Sequence, residues 1–445
     1  MNLQSYDAYT LANGLTLLCA PMPAVRSVSL GLIVRIGSRY EPPALAGISH
    51  FIEHMLFKGC RDWPSPLAIA SEIEGRGGYL NASTGQEFTS FWIKIGSGHW
   101  QQSLKLLAHM IRFPLFDPVE CERERNVILD EIRMYRDLPE DLVSILCNRA
   151  LWGDHPLGQD VAGEIESVSA ITLDDLRDFH HRGYRPNRVI LSVAGAIESQ
   201  AVYEYVRALL ADWEPAPDSL SFPPAPSTYV LPAHRIQVQD SQQAHLQLAA
   251  PGLPRLHPDR YALSLLNAAL GEATTSRLWQ RLREELGVAY SIGSYVNMFE
   301  DCGVVGIYGG CDPRRLIETL DEIMRVWQSL QEAPITDEEL ARLKEYVRGR
   351  LELGSEDSST VASWWARQVA AGTEPLTLDE VIAATEQVTA ADIRRLAQQL
   401  WQPQRLALGY VGPLDDERIL VDWLQARSPL LPLHEQSPAQ TGRQV

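Results

Sequence analysis

The residues best suited to chemistry lie in one short segment, which contains His50, Glu53 and His54. The surrounding sequence predicts a helix, and in a helix His50 and His54 share one face, one turn apart. Two imidazoles placed in this way can hold a divalent metal ion, and Glu53 is close enough to accept a proton from a water molecule on that ion. A buried helix that happens to carry three polar side chains is the alternative, but burying them without a compensating ion is costly.

A hydrolytic zinc site needs a third protein ligand and an open position for water. The candidates lie on a predicted helix that runs from Glu120 to Tyr135. Glu124 and Glu131 are seven residues apart in it and share nearly the same face, so one could bind the metal while the other orients a ligand. A charged helix face in contact with solvent explains the same pattern, and the residues alone leave both interpretations open.

Three segments of the chain resemble the pitrilysin and mitochondrial processing peptidase family of zinc metallopeptidases, which carry the inverted H-x-x-E-H motif. These segments are Gly47 to Gly59, Gly77 to Thr84 and Glu124 to Tyr135. Together with a two-copy layout, the resemblance covers nearly the whole chain and is closest to short bacterial members. It implies a zinc metalloendopeptidase that hydrolyses unfolded or extended peptides.

The resemblance also assigns roles to residues of the site. It implies that His50, His54 and Glu131 bind Zn2+, that Glu53 is the general base, and that Glu124 is a carboxylate behind the ligands that orients one of them. Glu131 lies 77 residues after His54, which matches the spacing of the family. Asp130 would point about 100° away on the helix and is the weaker candidate.

Two further segments resemble the parts of the family that contact the substrate. Asn81 and Ala82 correspond to an edge strand whose backbone pairs with an extended peptide, although a glycine-led turn into an ordinary strand explains the same residues. Arg283 and Tyr290 correspond to an arginine and a tyrosine that contact the substrate carbonyl and the developing oxyanion. Arg281 is an alternative to Arg283.

The elements that must position these residues follow a repeat. Asp175, Pro186 and Gly195 recur 217 residues later as Asp392, Pro403 and Gly412. In each copy the three residues span a predicted helix, a proline turn and a strand. Near the midpoint, six prolines crowd into a linker: Pro215, Pro217, Pro223, Pro224, Pro226 and Pro232.

The repeat predicts an α+β fold of two homologous domains, each an antiparallel-rich sheet packed with helices. The resemblance implies that the two domains together form half of a clamshell chamber. We expect a catalytic zinc domain at residues 1–213, the linker at 214–232, a substrate-contacting domain at 233–427 and a flexible tail at 428–445. The opening strands of the domains are predicted at 15–19, 28–36 and 234–248. The second copy carries no ligands, because the equivalents of the three motif residues are Asn267, Leu270 and Gly271.

Composition excludes several classes of partner. The 445 residues include 39 Lys+Arg and 57 Asp+Glu, giving a net charge of −18, and no basic cluster that would favour nucleic acid. No apolar stretch approaches the roughly 20 residues that span a membrane. The six cysteines form no C-x-x-C pair, and the first seven residues lack the features of a secretory signal, so we expect a cytoplasmic protein.

In the family that the chain resembles, the zinc helix of one subunit faces the second domain of another. The resemblance therefore implies a homodimer with two composite sites, because this one chain carries both the metal motif and the arginine and tyrosine segment. A heterodimer with a related subunit is an alternative arrangement. A non-catalytic core or partner subunit of a processing-peptidase-like complex is the alternative function, and loss of metal ligands would be its sign.

Overall fold

A computed structural model describes residues 5–427 of the chain, and the predicted tail at 428–445 lies outside this range. The first half of the chain forms a six-stranded sheet in the order β1-β2-β6-β3-β5-β4. Its strands are β1 Asp7–Thr10, β2 Thr16–Pro21, β3 Ser27–Val34, β4 Tyr79–Thr84, β5 Thr89–Gly96 and β6 Val189–Gly195. Its helices are α1 Ile48–Leu56, α2 Pro66–Ile73, α3 Trp100–Arg112, α4 Pro118–Asp137, α5 Pro139–Trp152, α6 Ile165–Ala170, α7 Leu173–Gly183 and α8 Ser199–Leu210.

The second half forms a five-stranded sheet in the order β7-β11-β8-β10-β9. Its strands are β7 Ala233–Val238, β8 Ala244–Pro251, β9 Ala289–Met298, β10 Gly303–Cys311 and β11 Ala407–Gly412. Its helices are α9 Arg260–Asn267, α10 Leu316–Glu332, α11 Asp337–Gly354, α12 Ser358–Ala370, α13 Leu378–Glu386, α14 Ala390–Leu400 and α15 Arg418–Arg427. Two π-helical turns, Ala268–Glu272 and Trp279–Glu285, follow α9.

The two sheets share the order of five strands and the register of their parallel pair. Thr16 of β2 pairs in parallel with Ile190 of β6, and Ala233 of β7 pairs in parallel with Ala407 of β11, each 217 residues later. In both sheets every other pairing is antiparallel. The prediction of an α+β fold with two homologous domains is therefore confirmed.

The end of each copy shows why the repeat was visible in the sequence. Thr172 and Asp175 form a capping box at the start of α7, and Thr389 and Asp392 form the same box at the start of α14. The strand that follows, β6 or β11, is buried along its whole length because helices cover both faces of the sheet. These apolar strands form the centre of each core.

Each sheet is completed by a helix from the other half of the chain. Val361 and Trp365 of α12 pack against Leu18 and Ile33 on the first sheet. In the reciprocal contact, Cys147 and its neighbours on α5 pack against residues of β8 and β11 on the second sheet. The two halves are thus joined through apolar cores as well as through the linker.

The segment between the halves contains neither helix nor strand from residue 214 to residue 232. The boundaries at 213 and 232 stay predictions. The predicted strands at 15–19 and 28–36 correspond to β2 and β3, and the predicted 234–248 region is divided between β7 and β8. No helix within residues 5–427 is both long enough and apolar enough to cross a membrane.

Candidate metal centre

The helix α1 begins at a fixed point in the fold. Gly47, which precedes it, has φ +94, and a Cβ atom there would lie 2.6 Å from the carbonyl oxygen of Ala162, so only glycine fits. The carboxylate of Glu41 accepts hydrogen bonds from the backbone N–H groups of Gly47 at 2.7 Å and Ser49 at 2.8 Å. This carboxylate caps the helix from outside it.

The capping carboxylate is itself buried. Glu41 is 8% exposed, and no ion pair joins it to a cation within residues 5–427. Burial raises the pKa of Glu41 to about 7, although the N–H groups of Ser49 and Gly47 act in the opposite direction.

The other face of α1 carries the predicted metal ligands. His50 Nε2 lies 3.2 Å from His54 Nε2, and Glu131 Oε2 on α4 lies 3.8 Å from the first and 3.6 Å from the second. A tetrahedral zinc ion with bonds of roughly 2.0–2.1 Å separates its ligand atoms by about 3.3 Å. The three side chains therefore fit a zinc ion, and they are the one cluster of this kind within residues 5–427.

The surroundings of His50 keep its imidazole neutral. His50 Nδ1 is buried and has no hydrogen-bond partner among the described residues. Burial and the neighbouring His54 lower the pKa of His50 to about 4, so its imidazole is neutral near pH 7 and suited to metal binding.

A chain of charges orients His54. Its Nδ1 donates to Glu124 Oε2 at 2.9 Å, which leaves Nε2 free to bind a metal. Lys58 Nζ lies 2.5 Å from Glu124 Oε1. Burial raises the pKa of Glu124, but hydrogen bonds from His54 and Lys58 outweigh it and hold that pKa below its usual value. Glu124 therefore occupies the place that the sequence predicts for a carboxylate behind the ligands.

Glu131 is held by its own helix. Tyr135, one turn later on α4, donates its hydroxyl to Glu131 Oε1 at 2.9 Å, and Oε2 remains directed at the histidines. This hydrogen bond and burial raise the pKa of Tyr135 to about 12, so the phenol stays a donor. Asp130, the weaker candidate, is exposed and paired with Arg133 at 2.6 Å.

Glu53 lies beside the ligand cluster without joining it. Thr84 Oγ1 at the end of β4 donates to Glu53 Oε2 at 2.5 Å. Burial raises the pKa of Glu53, and the hydrogen bond from Thr84 reduces this effect. A cavity of about 310 Å³ opens here, and its lining includes Glu53, His50, Glu131, Ala82, Tyr135 and Asp160.

Asn81 and Ala82 lie on β4, which is the edge of the first sheet and, within residues 5–427, pairs only with β5. Asn81 is exposed and its Oδ1 accepts a hydrogen bond from the backbone N–H of Ala82 at 2.8 Å. Leu80, Ala82 and Thr84 alternate with the exposed residues, and Ala82 belongs to the apolar core behind the cavity. The free edge of β4 thus runs past Glu53.

Arg283 and Tyr290 lie together, but away from this cavity. The guanidinium of Arg283 stacks 4.2 Å from the ring centroid of Trp279 and 5.0 Å from that of Tyr290, which is 71% exposed. Arg281 instead pairs with Glu322 and Glu285 at 3.0 and 2.9 Å. Since Arg283 forms no ion pair within residues 5–427, it is the more available of the two arginines.

The structure brings together His50, His54, Glu131, Glu53 and Glu124, but not Arg283 or Tyr290. Every residue that lines the cavity lies between positions 50 and 162. In the second copy, the equivalent of His50 is the last residue of α9, and the other two equivalents lie in the following π-helical turn. None of these three residues is a metal ligand.

Four residues of the site were not predicted. Lys58 and Tyr135 lie four residues after His54 and Glu131, so helical spacing could have identified them. Thr84 and Asp160 reach the cavity from other elements, and no spacing in the sequence indicates their proximity to the ligands.

Comparisons with known proteins agree with this geometry. Residues 18–164 match the family model described as insulinase (peptidase family M16), and residues 170–347 match the one described as peptidase M16 inactive domain. A Bacillus subtilis protein named uncharacterized zinc protease YmxG is 35% identical over 405 residues, 91% of this chain and 98% of the relative. A Streptomyces coelicolor protein, also named an uncharacterized zinc protease, is 34% identical, covering 92% of this chain and 90% of the relative.

The fold also matches solved structures. A crystal structure of a protease from Helicobacter pylori superposes with a TM-score of 0.86 at 23% identity, over 92% of this chain and all of the other. At this identity the match concerns the fold, and it covers both halves of the chain.

Proposed function

Because the chain belongs to the insulinase (M16) family of peptidases, we propose that it is a zinc-dependent endopeptidase that hydrolyses unfolded or extended peptides. The family predicted from the sequence is thereby confirmed. One observation carries the proposed activity: His50, His54 and Glu131 surround a single point that opens into a cavity, and Glu53 lies at its wall.

A bound zinc ion would supply a Lewis acid at this point and acidify a water molecule. The residues of the chain transfer the protons. Thr84 occupies Glu53 Oε2, so Oε1 is the oxygen left to take a proton from the attacking water and to return it to the leaving amine. Burial raises the pKa of Glu53, which makes its carboxylate a stronger proton acceptor than that of an exposed glutamate.

The free edge of β4 is suited to hold the substrate. An extended peptide can add to this edge as a further antiparallel strand, because β4 pairs with one neighbour only. The side chain of Asn81, now bonded to the N–H of Ala82, would give way to a peptide carbonyl. Backbone pairing of this kind requires an extended segment, which supports a preference for unfolded peptides.

We further propose a homodimer in which Arg283 and Tyr290 of one chain complete the metal site of its partner. The exposure of Tyr290, and the absence of both residues from the lining of the cavity in their own chain, support this arrangement. An arginine and a tyrosine directed at an oxyanion contribute about 3 to 4 kcal/mol each. A related partner subunit could supply the same two residues in a heterodimer.

The match of residues 170–347 to an inactive domain fits the missing ligands of the second copy. It does not favour a non-catalytic subunit, because all the ligands lie within residues 18–164, which match the other model. A non-catalytic relative would lack part of the set formed by His50, His54 and Glu131.

A peptide digest tests the proposed activity. The zinc-loaded chain is incubated with a random peptide library, with and without a chelator, and the products are read by mass spectrometry. We expect cleavage that the chelator abolishes. Glu53→Gln should retain zinc and lose turnover, while His54→Ala should lose both. Asp130→Asn is the matched control, because this carboxylate neighbours Glu131 but is exposed. A zinc-loaded wild-type chain that cleaves nothing, or a fully active Glu53→Gln variant, would refute the proposal.

A further inference from the structure

A buried glutamate lies in the turn between β4 and β5, three residues after Thr84. Glu87 is 4% exposed, and its Oε1 accepts hydrogen bonds from Arg39 Nη1 and from the backbone N–H of Glu300, both at 2.9 Å. Its Oε2 accepts from Arg255 Nη2. Arg39 belongs to the first half of the chain, whereas Arg255 and Glu300 belong to the second. One carboxylate therefore joins the two halves.

The partner Arg39 is fully buried, and both terminal nitrogens of its guanidinium form hydrogen bonds. Asp301 binds its guanidinium with both oxygens, each at 2.8 Å, and the carbonyl oxygen of Pro223 accepts from Nη2 at 3.1 Å. The ring of Phe222 in the linker lies 3.9 Å below it. Burial alone would raise the pKa of Asp301, but Arg39 and a backbone N–H lower it to about 2. The linker thus takes part in the same ion network.

The turn that carries Glu87 is also fixed by its backbone. The N–H of Ser38 donates to Gly85 O at 3.1 Å, and the N–H of Arg39 donates to Gln86 O at 2.8 Å. At Gly37 a Cβ atom would lie 2.3 Å from Gly85 O, so the two segments are in direct contact. A shift of this turn would move the end of β4 with it.

The end of β4 is where the network meets the proposed chemistry. Thr84 precedes the turn directly, and its hydroxyl is the hydrogen-bond donor to Glu53. We propose that Glu87 is a positioning residue through which the second half of the chain holds Thr84 against Glu53. The inference rests on the proposed role of Glu53 as the general base, and it gives the second half a task in its own chain besides supplying Arg283 and Tyr290 to a partner.

The charges of this ion network explain why it holds the two halves rigidly together. Arg39 and Glu87 are almost fully buried, and leaving a buried charged side chain unpaired is strongly destabilising. The pairs Arg39 with Asp301 and Arg255 with Glu87 therefore resist separation of the halves at this point. Glu53 gains a fixed orientation, since the carboxylate can rotate only by giving up the hydroxyl of Thr84.

Two sets of variants test the inference in the full, zinc-loaded chain. In the first, Thr84→Val removes the hydroxyl at constant shape, and Thr84→Ser restores it. The substrate is a quenched fluorescent peptide made from the fastest-cleaved sequence of the library. We expect Thr84→Val to lower kcat roughly tenfold to a hundredfold, with KM and zinc content unchanged, because a hydrogen bond to a charged group is lost. Thr84→Ser should recover most of kcat.

In the second set, Arg255→Met removes the contribution of the second half to Glu87. Arg260→Met is the matched control, because Arg260 lies five residues later and bonds only within its own loop and helix. We expect hydrogen exchange of the amides in residues 37–39 and 79–88 to accelerate about tenfold in Arg255→Met and to stay unchanged in the control. A loss of kcat smaller than that of Thr84→Val should accompany it.

The outcomes separate the inference from the proposed function. Wild-type kcat in zinc-loaded Thr84→Val would overturn the positioning role, and equal exchange in Arg255→Met and Arg260→Met would overturn the link between the halves. If the zinc-loaded wild-type chain cleaves no peptide, the proposed function fails, and the exchange comparison still decides whether Glu87 joins the halves.

Discussion

Substitution of Glu41 by glutamine is expected to change how the stability of the chain depends on pH. Glu41 caps the helix that carries His50, Glu53 and His54, and its carboxylate is buried without a cation. In the unfolded chain its pKa is the ordinary 4.5, and in the folded chain it is about 7. The folded state therefore binds the proton more tightly than the unfolded state.

The sign and size of the effect follow from this difference. Below pH 4.5 both states are protonated, and the full stability is present. As the pH rises towards 7 the unfolded chain ionises first, so stability falls, and above pH 7 the loss reaches about 3 kcal/mol at 1.36 kcal/mol per pKa unit. Glutamine does not ionise, but its single oxygen serves the N–H groups of Gly47 and Ser49 less well, which costs about 1 kcal/mol.

The two chains should thus have nearly equal stability at pH 5, and Glu41→Gln should be more stable by about 2 kcal/mol at pH 8. Urea unfolding of the metal-free chains at both pH values measures this, with a chelator present because zinc binding would stabilise the same helix. Glu198→Gln is the control, since Glu198 precedes α8 but is exposed and does not cap it. An equal difference between wild type and Glu41→Gln at both pH values would mean that Glu41 is ionised in the folded chain, against the reasoning.

Two further predictions concern the metal and the partner. Tyr135→Phe should weaken zinc binding about tenfold to a hundredfold, because it removes the hydroxyl that orients the carboxylate of Glu131. Tyr205→Phe, which removes a hydroxyl bonded elsewhere in the chain, should leave the zinc affinity unchanged. Competition with a chelator measures both affinities, and equal values would contradict the role of Tyr135. Mixing Glu53→Gln with Arg283→Ala/Tyr290→Phe should restore up to about a quarter of wild-type activity by random pairing of subunits, and exchange of subunits without recovered activity would exclude a site shared between chains.

Much of the fold could be predicted from the sequence, because several equivalent strands of the two copies are separated by a constant number of residues. The offset of 217 holds for β2 and β7, and for β3 and β8. It falls to 210 between the starts of β4 and β9, because the second copy has a shorter connection before its edge strand. The exchange of α5 and α12 between the sheets left no sign in the sequence, since an apolar helix face does not indicate which sheet covers it.

Some residues of the candidate site could be predicted from the sequence and others could not. His50, Glu53 and His54 were predictable because one helix carries all three, and the positions of Glu124 and Glu131 follow from a second helix. Glu41, Thr84 and Glu87 were not, because each acts across a tertiary contact. Spacing in a sequence reports neighbours on one element, whereas strand order, which makes β4 an edge, depends on the whole sheet.

The duplication explains how one chain can divide the work of a site. Both copies place a helix beside an edge strand, but within residues 5–427 only the first carries the ligand cluster on that helix. The second carries the more exposed tyrosine on its edge strand: Tyr290 of β9 is 71% exposed, and Tyr79 of β4 is 47% exposed. Because Glu87 and Asp301 join the halves, a movement of Tyr290 towards the cavity of its own chain would break the ion pairs of Arg39 and Glu87, the two members of the network that are almost fully buried. The rigidity that holds Glu53 in place is therefore also the reason to look for the missing arginine and tyrosine on another subunit.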